Sequence, residues 1–168
     1  MEAAIRQSIK LNIGCGRRVL DGWINVDTKS RGNAPDVDAD VRELPFPDNY
    51  ADEVMAIHLI EHFYIWEVPD VVNEWKRVLK PGGKLVIECP DLEKTIKHMY
   101  EGRHEPQLTM WPLYGDPSHQ DPLMCHKWGY NAHSLIMLLK HIGFDNPVVE
   151  PAQFHMKDLR DMRVVAIK

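Results

Sequence analysis

The chain has few cysteines, no long apolar run and no excess of basic residues, and each shortage excludes a class of protein. Its three cysteines, Cys15, Cys89 and Cys125, are too scattered for a disulfide framework or a Cys-x-x-Cys metal site. No apolar run reaches the length of a membrane span, and the first ten residues, MEAAIRQSIK, lack the apolar core of a secretory signal. We therefore expect a cytoplasmic protein with free thiols and no membrane association.

The charge balance is slightly acidic. With 20 Lys and Arg against 25 Asp and Glu, the formal net charge is −5, and the sequence contains no long Lys/Arg run. Broad nucleic-acid binding depends on neutralising phosphates, so it is disfavoured. A small-molecule partner fits better, whereas the sequence does not indicate an oligomeric state.

The length and the hydrophobic pattern predict one α/β domain that spans residues 1–168. Short apolar runs alternate with helical patterns, which is typical of a sheet covered by helices. The predicted strands lie near residues 10–13, 23–27, 35–40, 52–57, 84–89, 147–150 and 163–167. The predicted helices lie at residues 67–79, which Pro81, Gly82 and Gly83 would end, and at 91–100 and 131–142.

Residues 102–130 show no periodicity and carry four prolines among several aromatic and histidine side chains. Such a stretch inside a compact domain indicates a lid or a binding loop, so we predict a substrate-covering insertion. Tyr114, His126 and Trp128 would line the pocket of a small organic acceptor. A metal site that uses His119, His126 and neighbouring residues is an alternative, but the spacing matches no zinc pattern. Packing in the core is the simplest alternative for Trp128.

Candidate ligand-binding residues follow three predicted strands. Gly14, Cys15 and Gly16 follow the first strand, Asp27 ends the second, and Asp40-Val41 end the third. Open α/β sheets bind ligands at the carboxyl ends of their strands, and an aspartate after the second strand can accept hydrogen bonds from both hydroxyls of a ribose. Turn-forming glycines and capping aspartates are the structural alternative.

The spacing after the first strand excludes the usual dinucleotide fingerprint. A G-x-G-x-x-G motif would need glycine at Val19, so NAD is disfavoured. Only about six residues separate Gly16 from Trp23, whereas a parallel crossover normally takes a dozen or more. The first helix must therefore be reduced to a turn or lost.

The segments LNIGCG, GWINVD, DADVRELPFPDNYADEV, HLIEHF and EWKRVLKPGGKLVIECPD, which span residues 11–91, resemble class I S-adenosylmethionine-dependent methyltransferases of the small methyltransferase-11 type. The resemblance implies a Rossmann-like fold with a mostly parallel twisted sheet and helices on both faces. It also implies S-adenosylmethionine as cofactor and S-adenosylhomocysteine as product.

The resemblance assigns roles to the strand-end residues. Gly14 and Gly16, with Cys15 between them, would let the loop approach the aminoacyl and sugar parts of the cofactor. Asp27 would bind the ribose, Asp40 would accept from the adenine amino group, and the Val41 amide would face the ring. His58, after the fourth strand, is a further candidate for contact with the cofactor.

Two departures from the family pattern concern the aminoacyl part of the cofactor. Asn12 stands where the family often has an acidic residue, which weakens a contact to the cofactor ammonium. The shortened crossover removes the helix N-terminus that could face the carboxylate. The carboxylate then needs another partner, for which Arg17 and Arg18 are the candidates.

The pentapeptide His58 to His62 matches H-x-x-E-H, an inverted zinc-hydrolase signature, but no third ligand can be named. It is also similar to the Glu-x-x-Glu-His segment with which quinone-pathway O-methyltransferases hold a divalent ion. His58 replaces the first carboxylate, which disfavours Mg²⁺. A purely structural role for Glu61 and His62 is equally open. A divalent metal is therefore possible but not expected.

We predict methyl transfer from S-adenosylmethionine to an oxygen or nitrogen of a small-molecule or carbohydrate-like acceptor. His58, His62 and His119 are the candidates for the base that accepts a proton. The alternative is a non-catalytic module that binds S-adenosylmethionine or another nucleoside on the same fold.

Overall fold

A computed structural model describes residues 8–29 and 34–168. The strands are β1 (Lys10–Ile13), β2 (Ile24–Asp27), β3 (Val37–Asp38), β4 (Ala51–Ile57), β5 (Leu79–Pro90), β6 (Asp145–Glu150) and β7 (Asp161–Ile167). The helices are α1 (Val68–Val78), α2 (Leu92–Tyr100), α3 (Trp111–Tyr114) and α4 (Ala132–Ile142). Short 3-10 turns lie at Ile60–His62, Pro117–His119, Pro122–Met124 and Lys157–Leu159.

The seven strands form one sheet in the order β3-β2-β1-β4-β5-β7-β6. The pairs from β3 to β5 are parallel, and β7 is antiparallel to both β5 and β6. The predicted mostly parallel α/β sheet is thereby confirmed. The direction in which strands are added reverses between β1 and β4, so the loops after these two strands border the crevice where such sheets bind ligands.

Helix α1 forms because its apolar residues recur on one face, which is buried against the sheet. Its buried residues are Val68, Val71, Val72, Trp75 and Val78. The indole N–H of Trp75 also donates to the Val41 carbonyl at 3.0 Å. The helix is one residue shorter at each end than predicted.

The prediction that Pro81, Gly82 and Gly83 end α1 was wrong in one respect. The helix already ends at Val78, and these residues lie inside β5. The Gly82 amide donates to the Lys168 carbonyl at 2.8 Å, so the carboxyl end of β7 supports this stretch.

Helix α4 begins and ends within a residue of its predicted bounds. The Asn131 side chain accepts from the Ser134 amide at 2.8 Å, and the Ser134 hydroxyl accepts from the Asn131 amide at 3.1 Å. This reciprocal pair satisfies amides that the first turn of the helix leaves unpaired. Gly143, with φ of +86°, ends the helix in a left-handed conformation.

The two faces of the sheet are covered differently. One face carries the large core cluster, which includes the apolar stripes of α1 and α4. The smaller cluster, on Met55, Ile57, Val86 and Val165, is covered by side chains from connecting segments, namely Leu20, Trp23 and Phe154. Among the described residues, no helical side chain belongs to this second cluster. The loss of the first crossover helix accounts for the difference.

Strand bounds differ from prediction at β5, which begins five residues earlier and ends one residue later, and at β3, which has two residues instead of six. Pro35 has no amide to donate, and the Asp36 carboxylate accepts the Asn25 amide at 2.8 Å in place of a strand partner. Asp40 therefore lies two residues beyond the strand. Strands β6 and β7 each begin two residues earlier than predicted.

Candidate functional site

The loop after β1 is tied to the end of β2. The Gly16 amide donates to Asp27 Oδ2 at 2.6 Å, and Asp27 Oδ1 accepts from the Thr28 amide at 2.7 Å. Turns replace a helix between β1 and β2, which confirms the shortened crossover. Two predicted cofactor-binding positions, Gly16 and Asp27, thus lie together at the carboxyl edge of the sheet.

The two glycines of the loop have different surroundings, although both adopt left-handed backbone, with φ of +62° at Gly14 and +55° at Gly16. A Cβ on Gly14 would lie 2.6 Å from Leu59 Cδ1, whereas a Cβ on Gly16 would meet nothing within 4 Å. Gly14 is therefore needed for packing against the segment that follows β4. Gly16 faces open space, where a ligand can approach the backbone.

Asn12, which departs from the family pattern, holds the loop in place. It is buried, and its Nδ2 donates to the Arg18 carbonyl at 2.8 Å and to Asn25 Oδ1 at 2.9 Å. An acidic side chain could accept hydrogen bonds but could not donate these two. Asn12 is therefore a support for the shortened crossover.

Cys15 packs into the core beside the loop. Burial, followed by the charges of Asp27 and Asp36, raises the pKa of its thiol to about 11. The thiol is therefore neutral near pH 7 and is no nucleophile.

Arg18 carries an unsatisfied donor next to the loop. Its Nη1 is buried and has no hydrogen-bond partner among the described residues, while its guanidinium lies 4.8 Å from the Phe154 ring centre. Arg17 is exposed. A buried unpaired donor is costly unless a ligand accepts from it, so Arg18 is the better of the two candidates for binding a carboxylate.

Asp40 lies in a partly exposed ion pair. Arg42 Nη2 donates to Asp40 Oδ2 at 2.7 Å, and Arg42 Nε donates to Asp40 Oδ1 at 3.0 Å. This hydrogen bonding lowers the pKa of Asp40. Val41 is buried, and its carbonyl is occupied by Trp75. A contact of Asp40 or of the Val41 amide with adenine stays a prediction.

His58, at the carboxyl end of β4, lies between two carboxylates. Its Nδ1 is 3.1 Å from Glu61 Oε1, and its Nε2 is 3.2 Å from Asp161 Oδ2. Burial alone would lower the pKa of His58, but the hydrogen bonds to Asp161 and Glu61 outweigh it and raise the pKa to about 9. Burial would raise the pKa of Glu61, and its bond to His58 instead lowers it to about 2. His58 is therefore a cation near pH 7.

Three residues of this network were missed from the sequence. Asp161 is the first residue of β7, and Arg160, just before it, donates to its carboxylate at 2.6 Å. The His155 ring packs edge-on against His58 with ring centres 4.2 Å apart. Burial and the His58 charge lower the pKa of His155 to about 4. A charged pair at the start of an apolar strand was the available signal, but nothing local links it to His58, which is about a hundred residues away.

His62 lies close to residues 102–130. Its Nδ1 donates to the Cys125 carbonyl at 3.3 Å, and its ring packs edge-on against His126 with centres 4.9 Å apart. The Lys127 amide donates to the Glu61 carbonyl at 2.8 Å. The segment predicted to cover the substrate is thus attached to the turn after β4.

The other residues predicted in this segment are mostly exposed. Tyr114 and Trp128 expose 64% and 46% of their surface, and His119 is exposed at the end of a 3-10 turn. The segment encloses a cavity of about 620 Å³. Its lining includes Pro106, Met110, Trp111, Tyr114, Met124 and Cys125. Of the predicted acceptor-binding residues, Tyr114 thus lines a cavity of the size that small organic ligands occupy.

Comparisons with known proteins match this chain to methyltransferases. The Methyltransf_11 family model, described as a methyltransferase domain, matches residues 20–87. The ubiquinone/menaquinone biosynthesis C-methyltransferase UbiE of Stutzerimonas stutzeri is 39% identical over 62 residues, which are 37% of this chain and 23% of that protein. The chain thus spans about a quarter of that relative's length. The "Putative methyltransferase" of Encephalitozoon cuniculi is 29% identical over 83% of this chain and 71% of its own length.

A solved structure extends the likeness to almost the whole chain. An S-adenosylmethionine-dependent methyltransferase of Methanosarcina mazei has a TM-score of 0.67 at 18% identity, covering 96% of this chain and 92% of that one. In the part of the chain that the structure describes, no helix has the length and apolar character needed to cross a membrane. The chain thus contains a stretch that matches the methyltransferase domain model, and it shares the fold of S-adenosylmethionine-dependent methyltransferases.

Proposed function

We propose that the chain transfers the methyl group of S-adenosylmethionine to an oxygen or nitrogen of a small-molecule acceptor, such as a carbohydrate-like compound. The observation that carries the proposal is the hydrogen bond from the Gly16 amide to the Asp27 carboxylate at the carboxyl edge of β1 and β2. Arg18, whose Nη1 has no hydrogen-bond partner among the described residues, lies in the same loop. This edge is where open α/β sheets bind nucleotides.

The residues at this edge fit the cofactor. Asp27 already accepts two backbone amides, but each carboxylate oxygen has a second lone pair for a ribose hydroxyl. Gly16 leaves open space beside the backbone, and Arg18 Nη1 can donate to the carboxylate of the aminoacyl part. Gly14 supports the loop through its packing on Leu59.

When bound, S-adenosylmethionine would supply a methyl group on a sulfonium sulfur. The acceptor's lone pair would form the new bond to the methyl carbon, and the sulfur would keep the electron pair of the C–S bond that breaks. The chain has to hold the acceptor in line, exclude water and accept the acceptor's proton. His58 is a cation between two carboxylates, so it does not accept that proton. His62 and His119 stay the candidates for the base.

The acceptor's place in this proposal is the cavity enclosed by residues 102–130. Cys125 lines the cavity, and its carbonyl accepts from His62, so the cavity borders the turn that follows β4. That turn flanks the same crevice as the Gly16 loop. The mostly apolar walls favour a ligand with a hydrophobic part.

Turnover with methyl-labelled S-adenosylmethionine and a pool of small acceptors tests the proposal. We expect label in an acceptor, with the methyl on oxygen or nitrogen when the product is analysed by NMR. Label on carbon, the outcome that the name of the Stutzerimonas stutzeri relative suggests, would contradict the O/N assignment but not the transfer. Binding of S-adenosylhomocysteine without turnover of any acceptor would favour a non-catalytic binding module instead.

A further inference from the structure

Glu61, His62 and His126 bring three potential metal ligands together from two separate segments. One carboxylate oxygen and one ring nitrogen of each histidine all lie within 4.8 Å of one another. Glu61 and His62 belong to the 3-10 turn after β4, and His126 belongs to the segment that encloses the cavity. The cluster therefore lies where the two segments join.

Each of the two histidines directs its Nδ1 at a backbone carbonyl. His62 Nδ1 faces the Cys125 carbonyl at 3.3 Å, and His126 Nδ1 faces the Pro112 carbonyl at 2.9 Å. A carbonyl oxygen only accepts, so in each neutral ring the hydrogen is on Nδ1 and Nε2 carries a lone pair. Metal-binding histidines typically donate their other N–H to a carbonyl or carboxylate in this way.

Glu61 supplies the independent observation that points to a ligand. The residue is 98% buried, since its exposed fraction is 2%, and its Oε2 has no hydrogen-bond partner among the described residues. Its Oε1 is paired with His58. A buried carboxylate oxygen without a partner is costly, and a cation at that oxygen would remove the cost.

We propose that Glu61, His62 and His126 bind a divalent transition-metal ion, such as Zn²⁺ or Co²⁺, where the turn after β4 meets the segment that forms the cavity. Bonds of about 2.0 to 2.2 Å in a tetrahedral site place ligand atoms about 3.3 to 3.6 Å apart, so the three groups would close by roughly 1 Å. Imidazole nitrogen disfavours Mg²⁺. Three protein ligands leave a fourth position open, as in catalytic zinc sites.

The H-x-x-E-H pattern therefore contributes only part of this site. His58 is occupied by Glu61 and Asp161, and His126 takes its place as the third ligand. His58 instead lies behind Glu61, where it orients the carboxylate from the second oxygen. Sequence spacing could not find this set because His126 lies more than sixty residues from His62.

An oxygen or nitrogen of the acceptor would occupy the open position, and the metal would lower the pKa of that acceptor group. His62 would then act as a metal ligand and not as the base. This role rests on the proposed function, whereas metal binding does not. Metal affinity measured without S-adenosylmethionine therefore tests the site separately from methyl transfer.

The test is calorimetric titration of the metal-free chain with Zn²⁺, Co²⁺ and Mg²⁺, together with the visible absorption of the Co²⁺ form. We expect one equivalent of Zn²⁺ or Co²⁺, a visible Co²⁺ band and much weaker binding of Mg²⁺. Losing a residue that only hydrogen-bonds a metal ligand typically weakens metal affinity by about 10- to 100-fold. His126→Ala and His62→Ala each remove a ligand, so each should weaken Zn²⁺ affinity by more than that. His104→Ala, which alters an exposed histidine outside the cluster, is the matched control and should bind as wild type does.

Wild type that binds no Zn²⁺, or that binds it as tightly as folded His126→Ala and His62→Ala do, would overturn the proposal. Circular dichroism shows whether each variant is folded, and the wild-type titration decides the question even if a variant is not. S-adenosylhomocysteine binding in wild type without any metal affinity would overturn the metal site and leave the proposed methyl transfer standing.

Discussion

His58 joins the end of β4 to the start of β7 by lying between Glu61 and Asp161, 3.1 Å and 3.2 Å from their carboxylate oxygens. The three side chains are largely buried, so the charges interact with little screening. The network fixes the turn that carries Glu61 and His62 against the sheet. Its protonation should therefore control both stability and the shape of the site.

Stability should fall as the pH rises above neutrality. The imidazole pKa of His58 is about 9 in the folded chain and about 6.5 in an unfolded one. A raised pKa contributes stability in full below about pH 6.5, and that contribution is lost as the pH rises through 9. Thermal melts between pH 6.5 and 9.5 should show a declining melting temperature.

The matched variants for this prediction are His58→Asn and His104→Ala. Asparagine tolerates the positive φ of +51° at position 58. We expect His58→Asn to destabilise the fold at pH 6.5 by about 3 kcal/mol, since it removes the cation beside the buried Glu61 carboxylate, whereas Asp161 keeps Arg160 as a partner. The variant should also flatten the pH dependence. His104→Ala should keep the wild-type slope. An equal slope in His58→Asn would remove His58 from the account.

Asp27 should be needed for cofactor binding. Asp27→Ala removes the proposed ribose acceptor and also the partner of the Gly16 amide. Hydrogen bonds to a charged group contribute about 1.5 to 3 kcal/mol, so the S-adenosylhomocysteine Kd should rise by about 10- to 100-fold. Asp27→Asn, which keeps one acceptor oxygen, should have a smaller effect. Calorimetry with Asp21→Ala as the exposed control checks this, and an unchanged Kd in folded Asp27→Ala would contradict the ribose role.

Arg18 should distinguish ligands by their carboxylate. Arg18→Ala removes the donor proposed for the aminoacyl carboxylate, so it should weaken S-adenosylhomocysteine by at least about tenfold. It should leave unchanged the affinity for 5′-methylthioadenosine, which has the nucleoside but no carboxylate. Arg17→Ala should affect neither ligand, because Arg17 is exposed. If Arg17→Ala instead shows the selective loss, the carboxylate partner is Arg17.

Local patterns were sufficient to predict most of the fold. The helix at α1, the bounds of α4 and the short link after Gly16 are read from neighbouring residues. The two-residue β3 was not predicted, because Asp36 takes over the Asn25 amide through its side chain. Such a replacement depends on tertiary position, which spacing alone does not show.

The candidate site was predictable only where its residues follow strands. Gly16 lies in the loop after β1 and Asp27 is the last residue of β2, so topology places them together. The environment of His58 depends on Asp161, and that of His62 depends on His126; both pairs are far apart in the chain. The charge state of His58 and the packing role of Gly14 therefore appeared only with the structure.

The central claim is that the chain binds S-adenosylmethionine or its product at the carboxyl edge of β1 and β2. Thermal melts of wild type with S-adenosylhomocysteine, NAD and ATP test it most directly, because a ligand that binds only the folded state raises the melting temperature by mass action. The account predicts a concentration-dependent rise with S-adenosylhomocysteine and none with NAD or ATP. A rise with NAD and no rise with S-adenosylhomocysteine would contradict it.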